Sequence, residues 1–262
     1  MKKILSFVLA MVCLLALAGC GGGAKKADAP APKVPAEKVL RVGTDADYPP
    51  FEYYQEASKA FIGFDIGLMQ GLATEMGYSK VEFVDLEFNN LLPSLKDGQV
   101  DAVISCMNIT DERRKMADFT EPYLKSYNVV IGAAGTAARS ADAMKGKRVA
   151  AEIGSIHEKQ AKKYSDAVIE CGGAEEALKL VMADKADFAI MDHFTALFYM
   201  NNFHNGKLAI VAALPGETDT NIAIAVAKGN KELLDRLNAA LGKYRENAAY
   251  HQLKTTYFGK LK

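Results

Sequence analysis

The sequence predicts an α/β fold, and three observations carry that prediction. Short runs rich in β-branched residues alternate along the chain with segments whose apolar residues recur at helical spacing. Two of these units echo each other. Leu95-Lys-Asp-Gly-Gln-Val-Asp-Ala-Val-Ile-Ser105 and Val181-Met-Ala-Asp-Lys-Ala-Asp-Phe-Ala-Ile-Met191 both read as a helix end, a tight turn, an aspartate and a buried strand. Each strand then delivers polar groups, Ser105 to Asn108 in one case and Asp192 in the other. Two such halves facing one another would set those groups on opposite walls of a cleft.

The elements follow in order. Leu40-Arg-Val-Gly-Thr44 alternates like a strand and runs into Asp45-Ala-Asp-Tyr-Pro-Pro-Phe51, where paired prolines predict an extended loop presenting Asp45 and Tyr48. Residues 51–62 read as a loose hairpin. Gly63 to Met76 places Leu68, Leu72 and Met76 at helical spacing, with Gly77 as the stop. Val81-Glu-Phe-Val84 is a strand, and Asn89 to Gly98 a short helix with Pro93 in its first turn. Strands are expected at Tyr127–Ile131 and Arg148–Ile153, the latter turning Val149, Ala151 and Ile153 to one face and Glu152 to the other. Gly154-Ser-Ile-His-Glu158 opens a polar helix reaching Tyr164, and its amino end can accept an anion. A helix over 193–203, strands over 208–214 and 221–226, and helices over 231–245 and 248–257 complete the pattern.

The first nineteen residues stand apart. Met1-Lys-Lys followed by an apolar run to Ala18 has the charged and greasy regions of an export signal, and the run is short for a membrane span. Leu17-Ala-Gly-Cys20 is similar to the bacterial lipobox, in which the cysteine carries the lipid. Residues 20–37, rich in Gly, Pro, Ala and Lys, then form a flexible tether. The chain is therefore expected in the cell envelope, outside the cytoplasm and held to a membrane at Cys20. Thirty-two basic side chains balance 32 acidic ones, and removing Lys2 and Lys3 with the signal leaves −2. That balance offers no basic face for nucleic acid. Four histidines without ligand spacing predict neither a metal site nor a cofactor. Cys106 and Cys171 fall in different halves and are expected to stay unpaired.

The chemistry concentrates at Ser105-Cys-Met-Asn-Ile-Thr-Asp-Glu-Arg-Arg114, where a strand empties into a turn and a helix begins. Ser105 and Asn108 are small and polar, Thr110 sits in an N-cap position, and an arginine follows three residues later. A guanidinium beside free amides suits a planar carboxylate. By themselves, Arg113 and Arg114 read equally well as a solvated helix face.

Seven motifs in order resolve the matter: Asp45-x-x-Tyr-Pro-Pro-Phe, Gly63-Phe-Asp-Ile, Leu92-Pro-Ser-Leu, Asp101-Ala-Val-Ile-Ser, Ile109-Thr-Asp-Glu-Arg113, Phe119-Thr-Glu-Pro-Tyr123 and Ile190-Met-Asp192. Together they resemble the bacterial extracellular solute-binding proteins for polar amino acids, the capture subunits of ABC importers, over Val39 to Gly259. The resemblance implies two α/β lobes, at 38–126 with 222–262 and at 127–221, joined by hinges near Ser126 and Asn221. It implies a monomer that closes on a free amino acid and delivers it to an ABC permease. Arg113 would hold the α-carboxylate, helped by Ser105, Cys106, Met107 and Asn108 of the turn and by Ser155 and Ile156. Asp192 would pair with the α-ammonium, Tyr48 and Phe88 would wall the side chain, and Asp45 would reach its far end.

The chain departs from the family pattern at Gly67, usually acidic, at Asn108, usually Ser or Thr, and at Cys106, usually another small polar residue. Glu152 stands where glutamine or an apolar residue is common. Asp45 and Glu152 together exceed the charge that a neutral side chain needs, which favours an arginine- or lysine-like ligand; the bland alternative has Glu152 facing water or a local lysine. His157 and His193 read as surface or supporting groups, and Met107 as lining or underlying the pocket. Rival functions are a dehydratase acting on cyclohexadienyl acids, with Glu152 as general acid, and an amino-acid sensor. Against the first, Arg113 and Asp192 form a complete α-amino-acid grip and no nucleophile–base pair is evident.

Overall fold

Two five-stranded sheets of matching design organise the computed structural model, which describes residues 38–203, 206–214 and 221–260. The export signal, the tether and Cys20 lie outside the described residues. The first part of the chain runs β1 (Val39–Thr44), β2 (Asp47–Tyr48), β3 (Glu52–Gln55), β4 (Ala60–Ile62), α1 (Phe64–Glu75), β5 (Lys80–Asp85), α2 (Leu91–Lys96), β6 (Ala102–Val103), α3 (Asp111–Met116) and β7 (Ala117–Phe119). Then come β8 (Leu124–Lys125), β9 (Asn128–Ala133), β10 (Arg148–Glu152), α4 (Ile156–Tyr164), β11 (Ala167–Cys171), α5 (Ala174–Met182), β12 (Phe188–Asp192), α6 (His193–Asn202) and β13 (Leu208–Leu214). The chain closes with β14 (Asn221–Ile222), β15 (Ala225–Ala227), α7 (Lys231–Arg245) and α8 (Ala248–Phe258).

One sheet has the order β5-β1-β6-β15-β7 and the other β11-β10-β12-β9-β13. In each, three parallel strands are followed by two antiparallel ones. The echo read from the sequence has a structural counterpart in a repeated clamp. Arg41 grips both carboxylate oxygens of Asp101, and its backbone N–H donates to the same group; Arg148 repeats all three bonds on Asp187. These pairs are partly exposed, so solvent screens their attraction. They fix where neighbouring parallel strands start rather than supply much stability.

The run 221–226, read as one strand, is two. β14 pairs with β8 in a two-stranded ribbon, whereas β15 joins the first sheet. Apolar periodicity cannot see the break, because Ile222, Ala223, Ile224 and Ala225 are all fully buried. The paired prolines lie in a turn rather than an extended loop: Phe51 N–H donates to Tyr48 O at 3.0 Å, and the Pro49–Pro50 peptide is cis.

Helix α1 buries Leu68, Met69 and Leu72 completely. Its two interior glycines face the closing helices. A Cβ on Gly67 would stand 2.5 Å from Leu253 of α8, and one on Gly71 would stand 2.3 Å from the Tyr244 ring of α7. An aromatic group links α8 to both halves, with Phe258 packing on Phe64 at 4.7 Å, Phe51 at 5.5 Å and Phe194 of α6 at 4.6 Å between centroids. Gly63, which caps α1, has φ 139° and ψ 174°, a region essentially restricted to glycine. A Cβ there would lie 2.0 Å from the Phe51 carbonyl oxygen. Gly63→Ala is therefore expected to lose about 1–3 kcal/mol from the backbone conformation alone, before the clash is counted. Thermal denaturation should show a midpoint several degrees lower; an unchanged midpoint would contradict this account.

Candidate functional site

The ends of β1, β6 and β10 meet at a central cavity lined by Asp45, Tyr48, Glu52, Phe88, Ser105, Cys106, Asn108, Glu152, Ser155, Ile156 and His157. The cavity is shut, with about 10 Å³ open to the centre of a water, room for about one such molecule. Of the twelve binding residues expected from the sequence, nine line this space. The other three, Met107, Arg113 and Asp192, do not.

Arg113 and Met107 line an adjoining groove that shares Phe88, Ser155 and Ile156 with the cavity. Thr110 caps α3 by accepting the Arg113 N–H at 3.1 Å, as its position in the sequence suggested. The guanidinium is buried. It donates to Asn108 O at 2.8 Å and, across to the other sheet, to Gly154 O at 3.3 Å, while the Phe88 ring lies 5.0 Å away. Burial lowers its pKa to about 10, opposed by the Glu152 carboxylate, so it remains a cation at neutral pH. Met107 packs among Leu91, Leu95 and Val103 beneath the turn.

Asp192 ends β12 and caps α6, accepting the Phe194 N–H at 2.7 Å. Its own N–H donates to the Tyr48 hydroxyl at 3.0 Å, so Tyr48 connects it to the cavity wall. Burial pushes its carboxyl up to about 7. Cys106 lies near both groups, and burial followed by the Asp192 charge raises its thiol well above its ordinary range, so it stays neutral.

The turn itself is held from behind. Ser105 Oγ accepts the Asp45 N–H at 3.0 Å and donates to Glu52 Oε1 at 3.1 Å. Asp65 Oδ2 accepts the Cys106 N–H at 2.8 Å and the Tyr123 hydroxyl at 2.5 Å, which holds Cys106 at a positive φ of 42°. Glu52 and Asp65 are both fully buried and hydrogen-bond each other, which requires a proton on one of them. Burial and the Asp65 charge raise the Glu52 carboxyl well above its ordinary range, so Glu52 carries that proton.

Glu152 neither faces water nor meets a lysine in a salt bridge among the described residues. It is 5% exposed, and burial, followed by Asp45 and Asp47, raises its carboxyl well above the ordinary range. β10 alternates as expected, but both its faces are covered: Val149 and Ala151 join one apolar cluster and Ala150 another. On the next turn, Ser155 caps α4 by accepting the Glu158 N–H at 3.2 Å.

Two lining or adjacent groups escaped the sequence reading. Asp47 brings a carboxylate to Asp45 and Glu152, with oxygens of the three within 4.8 Å of one another, close enough to surround one cation. Its spacing of two from Asp45 in a strand-like stretch was the available signal. Glu52 carried no such signal. His157, read as a surface or supporting group, is buried, stacks on Tyr48 at 6.2 Å and has Nε2 3.2 Å from Asn128 Oδ1. Burial and Arg113 lower its pKa to about 3, so it is neutral. His193 stacks on Tyr127 at 4.2 Å. Cys106 and Cys171 are free and buried.

A polar cleft shut between two α/β lobes is the architecture of a binding protein. The chain belongs to the bacterial extracellular solute-binding proteins, family 3, whose model matches residues 40–260. It is 30% identical over 262 residues to the arginine-binding extracellular protein ArtP of Bacillus subtilis, covering 98% of each chain. A probable histidine-binding protein of Neisseria gonorrhoeae is 31% identical over 265 residues, covering 99% of this chain and 97% of that one. Among solved structures, an ancestral arginine-binding protein bound to arginine superposes with a TM-score of 0.79 at 33% identity, covering 85% of this chain and 99% of the other.

Proposed function

We propose that this chain is the substrate-binding component of an ABC importer and captures a basic amino acid, arginine or lysine in type, by closing two lobes upon it. The observation that carries the ligand class is the convergence of the Asp45, Asp47 and Glu152 oxygens, with the cationic Arg113 in the adjoining groove. A zwitterion stripped of water needs both charges matched. Arg113, with N–H groups near Asn108 and Ile156, receives the α-carboxylate and Asp192 the α-ammonium. Tyr48 and Phe88 flank the side chain, whose cationic end lies among the three carboxylates. The names of the relatives support the same ligand class.

The lobes are 38–126 with 222–262, and 127–221, and the β8–β14 ribbon is the hinge region near Ser126 and Asn221. Bonds that cross the cleft, Arg113 to Gly154 and Tyr48 to Asp192, give way to ligand atoms as the lobes open and close again. Residues 1–19 direct export and Cys20 carries a lipid, with 20–37 as the leash. The protein binds without turnover. Calorimetry with L-arginine, L-lysine, L-histidine, L-glutamine and L-cystine, followed by product analysis, tests the reading. Micromolar or tighter binding of arginine or lysine, recovered unchanged, is expected. Far tighter binding of glutamine or cystine, or conversion of a bound acid, would overturn it.

A further inference from the structure

We propose that Asp45, Asp47 and Glu152 form a proton-exchanging clamp that spans the two lobes, so that capture of a cationic side chain expels a proton from the cluster into solvent. The inference rests on the basic-amino-acid reading and deepens it, by making the ligand's side-chain charge part of what holds the lobes shut and by coupling capture to pH.

The geometry comes first. Asp45 follows β1 and Asp47 begins β2, whereas Glu152 ends β10 of the opposite sheet, yet their oxygens lie within 4.8 Å of one another. Asp45 is 8% exposed and lines the cavity with an Oδ2 that receives no hydrogen bond; Asp47 Oδ1 is likewise unpartnered. Asp47 is also pressed against the other lobe. A Cβ on Gly173, at the start of α5, would come 1.9 Å from Asp47 Oδ2. Only glycine leaves that carboxylate room to stay where it is.

The surrounding charges intensify the crowding. Asp85, Glu87, Glu175 and Glu176 face Asp47, and Asp85 and Glu87 also face Asp45. Lys179 borders the same acidic groove but is paired with Glu175 at 2.7 Å. Arg113 also acts on Glu152, favouring its charged form, and His157 is neutral. Burial, then neighbouring carboxylates, push Asp45 up to about 8 and Asp47 up to about 7. At neutral pH the cluster therefore retains protons that a guanidinium or ammonium arriving among these oxygens makes unnecessary. The complex binds fewer protons than the free protein, so affinity for a cation must rise with pH through the range in which the free cluster ionises, which for Asp45 extends above pH 8.

Calorimetry with L-arginine, in buffers of different ionisation enthalpy between pH 6 and 8, reads the proton count directly. Release of about one proton near pH 7, with affinity rising several-fold per pH unit, is expected. Asp192 also loses a proton to solvent when the α-ammonium binds beside it, but equally in wild type and in Asp47→Asn. The difference between the two proteins isolates the clamp: the variant should bind arginine more weakly and release fewer protons. Arginine binding with no release, or with the same release in both proteins, would overturn the clamp while leaving basic-amino-acid capture standing. Failure of any basic amino acid to bind would overturn both. Where Asp47→Asn folds poorly, Glu152→Gln supplies the same comparison with wild type.

Discussion

Arg113→Ala should abolish micromolar binding of L-arginine, the loss amounting to about 2–5 kcal/mol, or roughly 30- to 5,000-fold. The size of the effect follows from where the guanidinium sits. It is 8% exposed, and its charge is held against burial by Glu152. Removing it would leave an incoming carboxylate near Glu152 without the buried cation that matches its charge. The substitution also deletes the bond to Gly154 O that pins one lobe to the other, so the unliganded protein should open more readily. Arg113→Lys keeps the charge but not the planar fork and should recover only part of the affinity. Calorimetry on the three proteins checks the series, and an unchanged dissociation constant for Arg113→Ala would refute the assignment.

Asp192→Ala should fail on two counts. Its carboxylate caps the ten-residue α6 through the Phe194 N–H, and losing a cap costs about 0.5–2 kcal/mol of stability. The α-ammonium loses its partner as well, a further binding loss of about 2–5 kcal/mol. Asp192→Asn separates the two effects, because the amide oxygen still caps the helix while the charge is gone. It should melt close to wild type and bind almost as poorly as the alanine protein. The pH dependence of stability adds a check. Burial raises this carboxyl from an ordinary 3.8 to about 7, so between those values the native state keeps a proton that the unfolded chain has lost. The group's contribution to wild-type stability is full below pH 3.8 and falls as pH rises to 7. Asp192→Asn removes that decline, and denaturant titrations at pH 5 and 7 would reveal its persistence if the assignment is wrong.

Most of the fold was legible because local signals and tertiary structure agree. The bounds of α7 and β13 are those that apolar spacing and turn residues indicate. Where the reading failed, the deciding information lay elsewhere in the chain. Nothing between Asn221 and Val226 says that Ile222 pairs with Leu124 while Ala225 pairs with Phe119. Thr110 and Arg113 announce their roles through a cap and a three-residue spacing. Asp47, Glu52 and His157 acquire theirs only because Gly173, Ser105 and Tyr48 are brought against them from distant segments.

The chain contains no tryptophan, while Phe258 of its last helix packs against Phe51 and Phe64 on one side and Phe194 on the other. A single indole substituted at that position would be the protein's only such fluorophore, lodged where two moving bodies share a seam. Its emission would report the approach and separation of those bodies in real time, without labelling chemistry, and would turn a transport component into a self-contained optical gauge.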